Sequence, residues 1–357
     1  MSEKNVIRLR RQTMTEQRRT SFAPRVRLAH TPTPIEPMRN LSMALGGPQL
    51  FVKRDDCTGL AGGGNKARQL EYYMGQAVAE NSDTLIITGA VQSNFVRQAA
   101  AAARKCGMDC HVQLEDRVPY YDTSYRGSGN VLLNCLLGAT IHEFSDGENE
   151  AAADANLEAI SEDLLDKGRK PYVIHLGIDY PPWGGLGYVD AGREIVAQAN
   201  SMDIQFNSIV VASGSGLTHA GLLAGMHATG DTTPIFGICV RRGSSSQSVR
   251  VKRRLAEIIH LAGLPKTAAG NDNINTDDTW LGPGYGLLTD EITESMHLAA
   301  RTEGLILDPV YTGKVMAGLI GMIRRRDFKN TDKVLFIHTG GSTALFGYEA
   351  LNKTITN

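Results

Sequence analysis

The stretch Gly59-Leu-Ala-Gly62-Gly63-Gly64-Asn65-Lys66-Ala67-Arg68-Gln69-Leu70 decides how this chain is read. Three consecutive glycines lead through an Asn to a Lys, and an amphipathic run follows through Leu70, Tyr73, Met74 and Ala77. Glycine at that density permits positive φ and lets a ligand approach the backbone closely. The run after it predicts a helix over 66–80. A lysine at the mouth of such a turn has two chemical uses. It is a point charge for phosphate, or an amine nucleophile that forms a Schiff base with a carbonyl cofactor. A P-loop requires Gly-Lys followed by Ser or Thr. Here Asn65 precedes Lys66 and Ala67 follows it, so that reading fails. A tight turn carrying a solvated lysine is the plainer alternative, and this stretch by itself leaves it open.

Working outward, 357 residues with 42% hydrophobic content imply two domains or one large α/β unit. A formal charge of −1 argues against nucleic acid as a partner. No run of 18 apolar residues is present, so no membrane-spanning helix is expected. The five cysteines are scattered and odd in number, which is not a disulfide framework. Cys106 and Cys110 lack a second pair of metal-type ligands nearby, so no metal is expected. These features fit a reducing cytoplasm. Residues 1–27 are basic, with eight Lys and Arg against Glu3 and Glu16. An Arg-rich, acid-poor leader can be a transit peptide. A solvated extension that docks on a neighbouring subunit is the favoured reading.

Apolar, β-branched runs such as Thr84-Leu-Ile-Ile-Thr and Ser208-Ile-Val-Val-Ala alternate with helical stretches along the chain. That alternation predicts an α/β fold of parallel sheets covered by helices. The segment 177–188 is loop by composition, and a helix is expected from Asp190 to Asn200. Ser213-Gly214-Ser215-Gly216-Leu217-Thr218 lies between a strand and a helix. Backbone N–H groups and hydroxyls there make an anion site. A dinucleotide fingerprint needs glycine where His219 stands, so it fails. Gln92-Ser93-Asn94 opens another helix, and Ser and Asn are good N-caps.

The segment Arg54-Asp-Asp-Cys-Thr-Gly-Leu-Ala-Gly-Gly-Gly-Asn-Lys66-Ala-Arg resembles the cofactor-lysine segment of the pyridoxal-phosphate (PLP) enzymes of fold type II, the tryptophan-synthase-β fold. The similar branch contains D-cysteine desulfhydrase, L-cysteate sulfo-lyase and 1-aminocyclopropane-1-carboxylate (ACC) deaminase. The likeness runs from about Leu28 to about Tyr348. It implies a large PLP-binding domain of residues 28–68 and 180–357, a small inserted domain of 69–179, and a homodimer. Lys66 would hold pyridoxal 5'-phosphate as a Schiff base, with Asn65 beside it. Ser213, Gly214, Ser215, Gly216, Leu217 and Thr218 would cradle its phosphate.

Asn94 would face the phenolic oxygen of the cofactor, and Thr312 its pyridine nitrogen. Gln92, Ser93, Asn94 and Phe95 would meet the substrate, and Tyr285 and Tyr311 would supply an acid or hydrogen-bond donor. ACC deaminases carry Glu where Thr312 stands, and a neutral hydroxyl there favours elimination of a good leaving group. The loop with Asp179 and Trp183 looks more like ACC deaminase and is expected to face the substrate. Other segments, such as Leu114-Glu-Asp-Arg117, lean toward L-cysteate sulfo-lyase. The expected activity is β-elimination from a small amino acid, with D-cysteine first, L-cysteate second and ACC third. A nicotinamide enzyme and a non-catalytic binding module are the competing classes.

Overall fold

The computed structural model describes residues 23–120, 122–270 and 274–352. Two sheets organise them. The larger runs in the order β1-β2-β10-β7-β8-β9. Its strands are Ile35–Pro37 (β1), Gln49–Lys53 (β2), Ser208–Ser213 (β7), Ile235–Cys239 (β8), Asn275–Asp277 (β9) and Lys333–Ile337 (β10). The smaller runs in the order β5-β4-β3-β6, from Thr84–Ala90 (β3), Asp109–Glu115 (β4), Thr140–Phe144 (β5) and Pro171–Ile174 (β6). Every pairing is parallel except β1 on β2, which forms an antiparallel edge. The chain leaves the larger sheet after β2, builds the whole smaller sheet between residues 84 and 174, and returns at β7. Those four strands lie inside the segment 69–179 expected as an insertion.

The strands read as continuous apolar runs because helices cover both faces of a parallel sheet. All seven residues of β3 and all six of β7 are buried. Leu85, Ile86 and Ile87 are fully buried, each contributing about 1.5–3 kcal/mol of transfer free energy. Strands β5 and β9 carry polar residues and only partly buried faces, so no apolar run announces them.

One expectation is corrected. The helix expected from Asp190 spans Gly185–Ser201, so it begins inside the Gly-rich segment read as loop. The glycines there serve packing rather than turning. A Cβ on Gly187 would stand 2.1 Å from the carbonyl oxygen of Arg68, and one on Gly185 2.3 Å from Ile258. Glycines on the facing helix Leu217–His227 do the same, since a Cβ on Gly225 would stand 2.2 Å from the oxygen of Val189.

A buried charge network pins the start of the lysine helix Lys66–Ala79. Arg68 donates to Asp55 at 2.9 Å and to Glu194 at 2.9 Å. Lys53 pairs with Glu194 at 2.5 Å, and the Tyr188 hydroxyl donates to Asp55 at 2.6 Å. The reading of the basic leader falls mostly on residues 1–22, outside the described residues. Of its cations, Arg25 docks on this same chain, against Glu71 and Asp190.

Candidate active site

In parallel sheets, ligands gather beyond the carboxyl ends of the strands. Here the segments after β3, β4, β7, β8 and β10 deliver Ser93, Arg117, Gly214, Arg241 and Thr339 to one cavity. The glycine loop before Lys66 forms another wall. Gly63 holds φ +73° with its would-be Cβ 1.9 Å from the oxygen of Asp56, so only glycine fits. Arg97 and Gln98 donate to the Gly63 carbonyl at 3.1 and 2.7 Å, and Asn65 N donates to Thr339 O at 2.9 Å. The loop is therefore fixed from several sides before any ligand arrives.

Lys66 points into this cavity, with Nζ 5.2 Å from the centre of the Phe95 ring and 3.4 Å from Gln69 Oε1. Burial lowers its amine from 10.5 to about 8. Among the described residues no carboxylate pairs with it, so the neutral, nucleophilic form is within reach near neutral pH. Ser93 caps the helix Asn94–Lys105 by accepting from Val96 N at 3.3 Å, and its hydroxyl also lines the cavity. Asn94 Oδ1 accepts from Asn130 at 3.0 Å, which orients its amide at the wall. Capping and lining thus use the same residues.

Tyr285 and Tyr311 stand edge to face, 5.9 Å between ring centres, with their hydroxyls 2.6 Å apart. Burial pushes both phenols up. Arg117 works against burial at both, and both remain protonated donors at neutral pH. The two share one hydrogen bond, so only one phenolic proton is left for a substrate.

The structure brings together Asn65, Lys66, Ser93, Asn94, Phe95, Gly214, Ser215, Gly216, Thr218, Tyr285 and Tyr311 around the cavity. It places the other expected residues elsewhere. Gln92 braces the next segment by donating to Tyr125 O at 2.6 Å and Ser128 O at 3.0 Å. Ser213 sits behind the loop, against His219 and Gln247, and Leu217 is a core residue. Thr312 is fully buried behind Tyr311. Its hydroxyl donates to Asp308 Oδ1 at 2.7 Å and accepts from Asp308 N at 2.7 Å. Asp179 and Trp183 do not reach the cavity. The Asp179 carboxylate is 81% exposed and pairs outward with Arg253 at 2.7 Å, while Trp183 packs into the core. From that region only Leu176 lines the wall.

An arginine cluster escaped the sequence reading. Arg241, Arg242 and Arg250 line the cavity and converge on one carboxylate, Glu150. Arg241 bonds it at 3.0 Å and Arg250 at 3.3 Å, and Arg242 donates as well. Burial would raise the Glu150 carboxyl, but Arg242, Arg250 and Arg241 outweigh it and hold it below the usual range. Burial and the neighbouring Arg242 pull Arg250 down to about 10. The signal was present: Arg241 and Arg242 stand one residue beyond β8, at the end of a strand where ligands gather.

The residues fit a phosphorylated carbonyl cofactor. Gly216 holds φ +90° and starts the helix Leu217–His227, whose first N–H groups have no carbonyl one turn back. Thr218 Oγ1 accepts from Asn65 Nδ2 at 3.0 Å and Gln69 Nε2 at 2.9 Å, which frees its own proton for an anion. An amine of lowered basicity shares the cavity with this anion cradle. Such a pairing defines an enzyme that holds an aldehyde by one end and a phosphate by the other.

Comparison with known proteins agrees. A family model described as "Pyridoxal-phosphate dependent enzyme" matches residues 26–340. The chain is 40% identical over 326 residues to the 1-aminocyclopropane-1-carboxylate deaminase of Rhizobium rhizogenes strain K84, covering 90% of this chain and 95% of the relative. It is 40% identical over 330 residues to the enzyme of that name from Burkholderia vietnamiensis, covering 91% and 96%. A solved structure described as an ACC deaminase homologue superposes with a TM-score of 0.83 at 36% identity, covering 93% of this chain and 96% of the other. The apo diaminopropionate ammonia lyase of Escherichia coli shares the fold, with a TM-score of 0.63 at 16% identity, covering 90% and 86%. The chain belongs to the pyridoxal-phosphate-dependent enzyme family, has its fold type II architecture, and uses pyridoxal 5'-phosphate.

Proposed function

We propose that this protein is a deaminating lyase. It takes a small α-amino acid whose Cβ bears a bond that breaks, and releases a 2-oxo acid and ammonium. One observation carries the reading: the Lys66 amine, the Tyr285–Tyr311 pair and the Gly214–Thr218 cradle share one cavity. Bound PLP supplies the electron sink that makes a Cα proton acidic. The residues do the rest. The cradle and Thr218 would hold the phosphate, and Asn94 would hold the ring. Lys66, neutral above about pH 8, accepts the Cα proton. One of the two tyrosines donates a proton toward the departing group. The closed glycine loop and the Phe95 ring limit water around Lys66.

The expected carbon–sulfur specificity, with D-cysteine first, has less support than the ring-opening alternative. Relatives that match over nine-tenths of this chain are named ACC deaminases. The division of the chain near residues 69 and 179 belongs to the same proposal, and the confinement of β3 to β6 within that span supports it. The test is 2-oxo acid and ammonium release from D-cysteine, L-cysteine, L-cysteate, D-serine and ACC. Release from at least one is expected, with borohydride fixing the cofactor on Lys66. Fixation on another lysine, or no release, overturns the reading.

A further inference from the structure

Tyr285 and Tyr311 are held by different means, and the difference gives a buried lysine its role; that role rests on the lyase reading above. Tyr311 immediately precedes the helix Thr312–Arg324, whose first turn is fixed locally. The Asp308 carboxylate accepts from Val310 N and Tyr311 N at 3.0 Å each and from Thr312 N at 2.8 Å. Tyr285 is placed otherwise. It lies in Gly282-Pro-Gly-Tyr285-Gly286, between β9 and the helix Asp290–Glu303. Three glycines in five residues make that segment costly to order. Its own turn bonds run from Leu281 N to Asp278 O at 3.0 Å and from Leu287 N to Gly284 O at 3.4 Å.

Further support comes from the helix. Tyr311, Lys314, Gly318 and Gly321 follow one another at spacings of three, four and three, so they share one face. The segment 280–285 lies along that face. Trp280 rests on its glycines: a Cβ on Gly318 would stand 3.2 Å from the indole, and one on Gly321 would collide with it. Lys314 is fully buried, and its Nζ donates to Leu281 O and to Gly284 O at 2.7 Å each. The next residue, Tyr285, puts its hydroxyl 2.6 Å from that of Tyr311. One face of one helix therefore grips the segment at an indole, at two carbonyls and at a phenol.

Packing alone does not call for lysine at this position. Among the described residues Lys314 bonds these two carbonyls and no carboxylate. Burying a charge without an opposite charge beside it is costly. A methionine of similar length would fill the space without that cost. What lysine adds over methionine is its donors, and both bonds go to the segment that carries Tyr285.

We propose that Lys314 is a positioning residue for the proton donor: it tethers the Tyr285 segment through the Leu281 and Gly284 carbonyls, so that the Tyr285 hydroxyl meets Tyr311 and the pair presents its one free proton to the cavity. Lys314 does not itself line the cavity, so it acts on the reaction through Tyr285.

The experiment compares the cofactor-loaded native enzyme with Lys314→Met, Tyr285→Phe and the double variant. It measures 2-oxo acid release from whichever substrate of the panel above the native enzyme turns over fastest, together with PLP affinity and amide hydrogen exchange. Lys314→Met is expected to lower kcat by about tenfold or more and to shift KM by less than about threefold. PLP affinity stays as in the native enzyme. Exchange in residues 279–288 speeds up by about tenfold or more, while the helix 312–324 keeps its protection. In the Tyr285→Phe background, Lys314→Met lowers kcat no further, because the two changes disable one device. If Lys314→Met fails to fold, Lys314→Gln, which keeps an amide donor, carries the same comparison.

An unchanged kcat, or unchanged exchange in residues 279–288, overturns the proposal and leaves the lyase reading standing. A full second loss on top of Tyr285→Phe overturns it too, because a merely structural role adds in that way. So does a fall in PLP affinity as large as the fall in kcat. With no 2-oxo acid from any substrate of the panel, and no cofactor fixed on Lys66 of the native enzyme, the lyase reading falls and the proton-donor role falls with it.

Discussion

Two charge clusters carry this protein, and they are built to opposite rules. Around Arg68, two cations (Lys53 and Arg68) meet two carboxylates (Asp55 and Glu194), and a tyrosine hydroxyl completes the set. All but Glu194 are almost wholly buried, and the charges cancel. Around Glu150, three guanidinium groups share one carboxylate at the edge of a cavity. The first cluster is complete as it stands, with each desolvated charge answered by a partner. The second leaves cation in excess, since among the described residues only the exposed Glu148 answers it beyond Glu150, and only at Arg241. Counting salt bridges would rank the two alike. Comparing their charge balance separates the framework from the site.

Lys66 stands two residues from the closed cluster and shares a cavity with the open one, so its variant tests the division most sharply. Lys66→Ala should reduce turnover by about a thousandfold or more. It should leave the urea unfolding midpoint unchanged, because it touches no member of the closed cluster. Arg68→Met should do the reverse in kind. It removes one partner from two buried carboxylates and should cost about 3–5 kcal/mol in urea unfolding. A cost below about 1 kcal/mol, the range of exposed pairs, would remove the closed cluster from the framework.

Glu150→Gln should cost less, about 1–3 kcal/mol, by removing the one carboxylate that three arginines share. Inorganic sulfate should restore that loss by binding the native state, with the midpoint rising with its logarithm. The same sulfate should not rescue Arg68→Met, and rescue of both would erase the distinction. Gly216→Val should weaken PLP through the backbone, since φ +90° strains a β-branched residue by about 1–3 kcal/mol. Its Cβ would meet only ordinary contacts at 3.6 Å, so strain rather than a clash is the cause. Ser215→Ala should matter less, and equal effects would argue against a backbone cradle. The smallest effect is a shift in pH. Acylation of Lys66 in the cofactor-free protein should rise with pH to a midpoint near 8 rather than 10.5, because burial disfavours the charged amine.

Much of this was legible beforehand, for a physical reason. A parallel strand buried on both faces must be apolar throughout, so β3, β7 and β10 announce themselves. Lys66 and the Gly214–Thr218 loop are local devices in which the neighbours in sequence are the neighbours in space. The arginine cluster is not local. Glu150 and Arg241 lie 91 residues apart, and only the exit and return of the chain between the two sheets brings them together. Gly185 and Gly187 were misread because glycine marks both turns and close helix contacts, and composition cannot separate the two. Asp179 sits in a segment near the cavity, yet its side chain faces Arg253 and solvent.

The segment 147–180 is fastened by another set of arginine contacts. Arg250 donates to Leu176 O at 2.9 Å, and Arg254 to Gly177 O and Tyr180 O at 2.7 Å each. These bonds end on carbonyls, while their neighbours at the rim end on carboxylates. Dissolved salt distinguishes the two. At physiological ionic strength the screening length is about 8 Å, and it acts on solvent-facing charges such as Glu148 far more than on enclosed dipoles. Rising salinity should therefore weaken the rim contact of Arg241 with Glu148 before the enclosed bonds of Arg250 and Arg254 to the carbonyls.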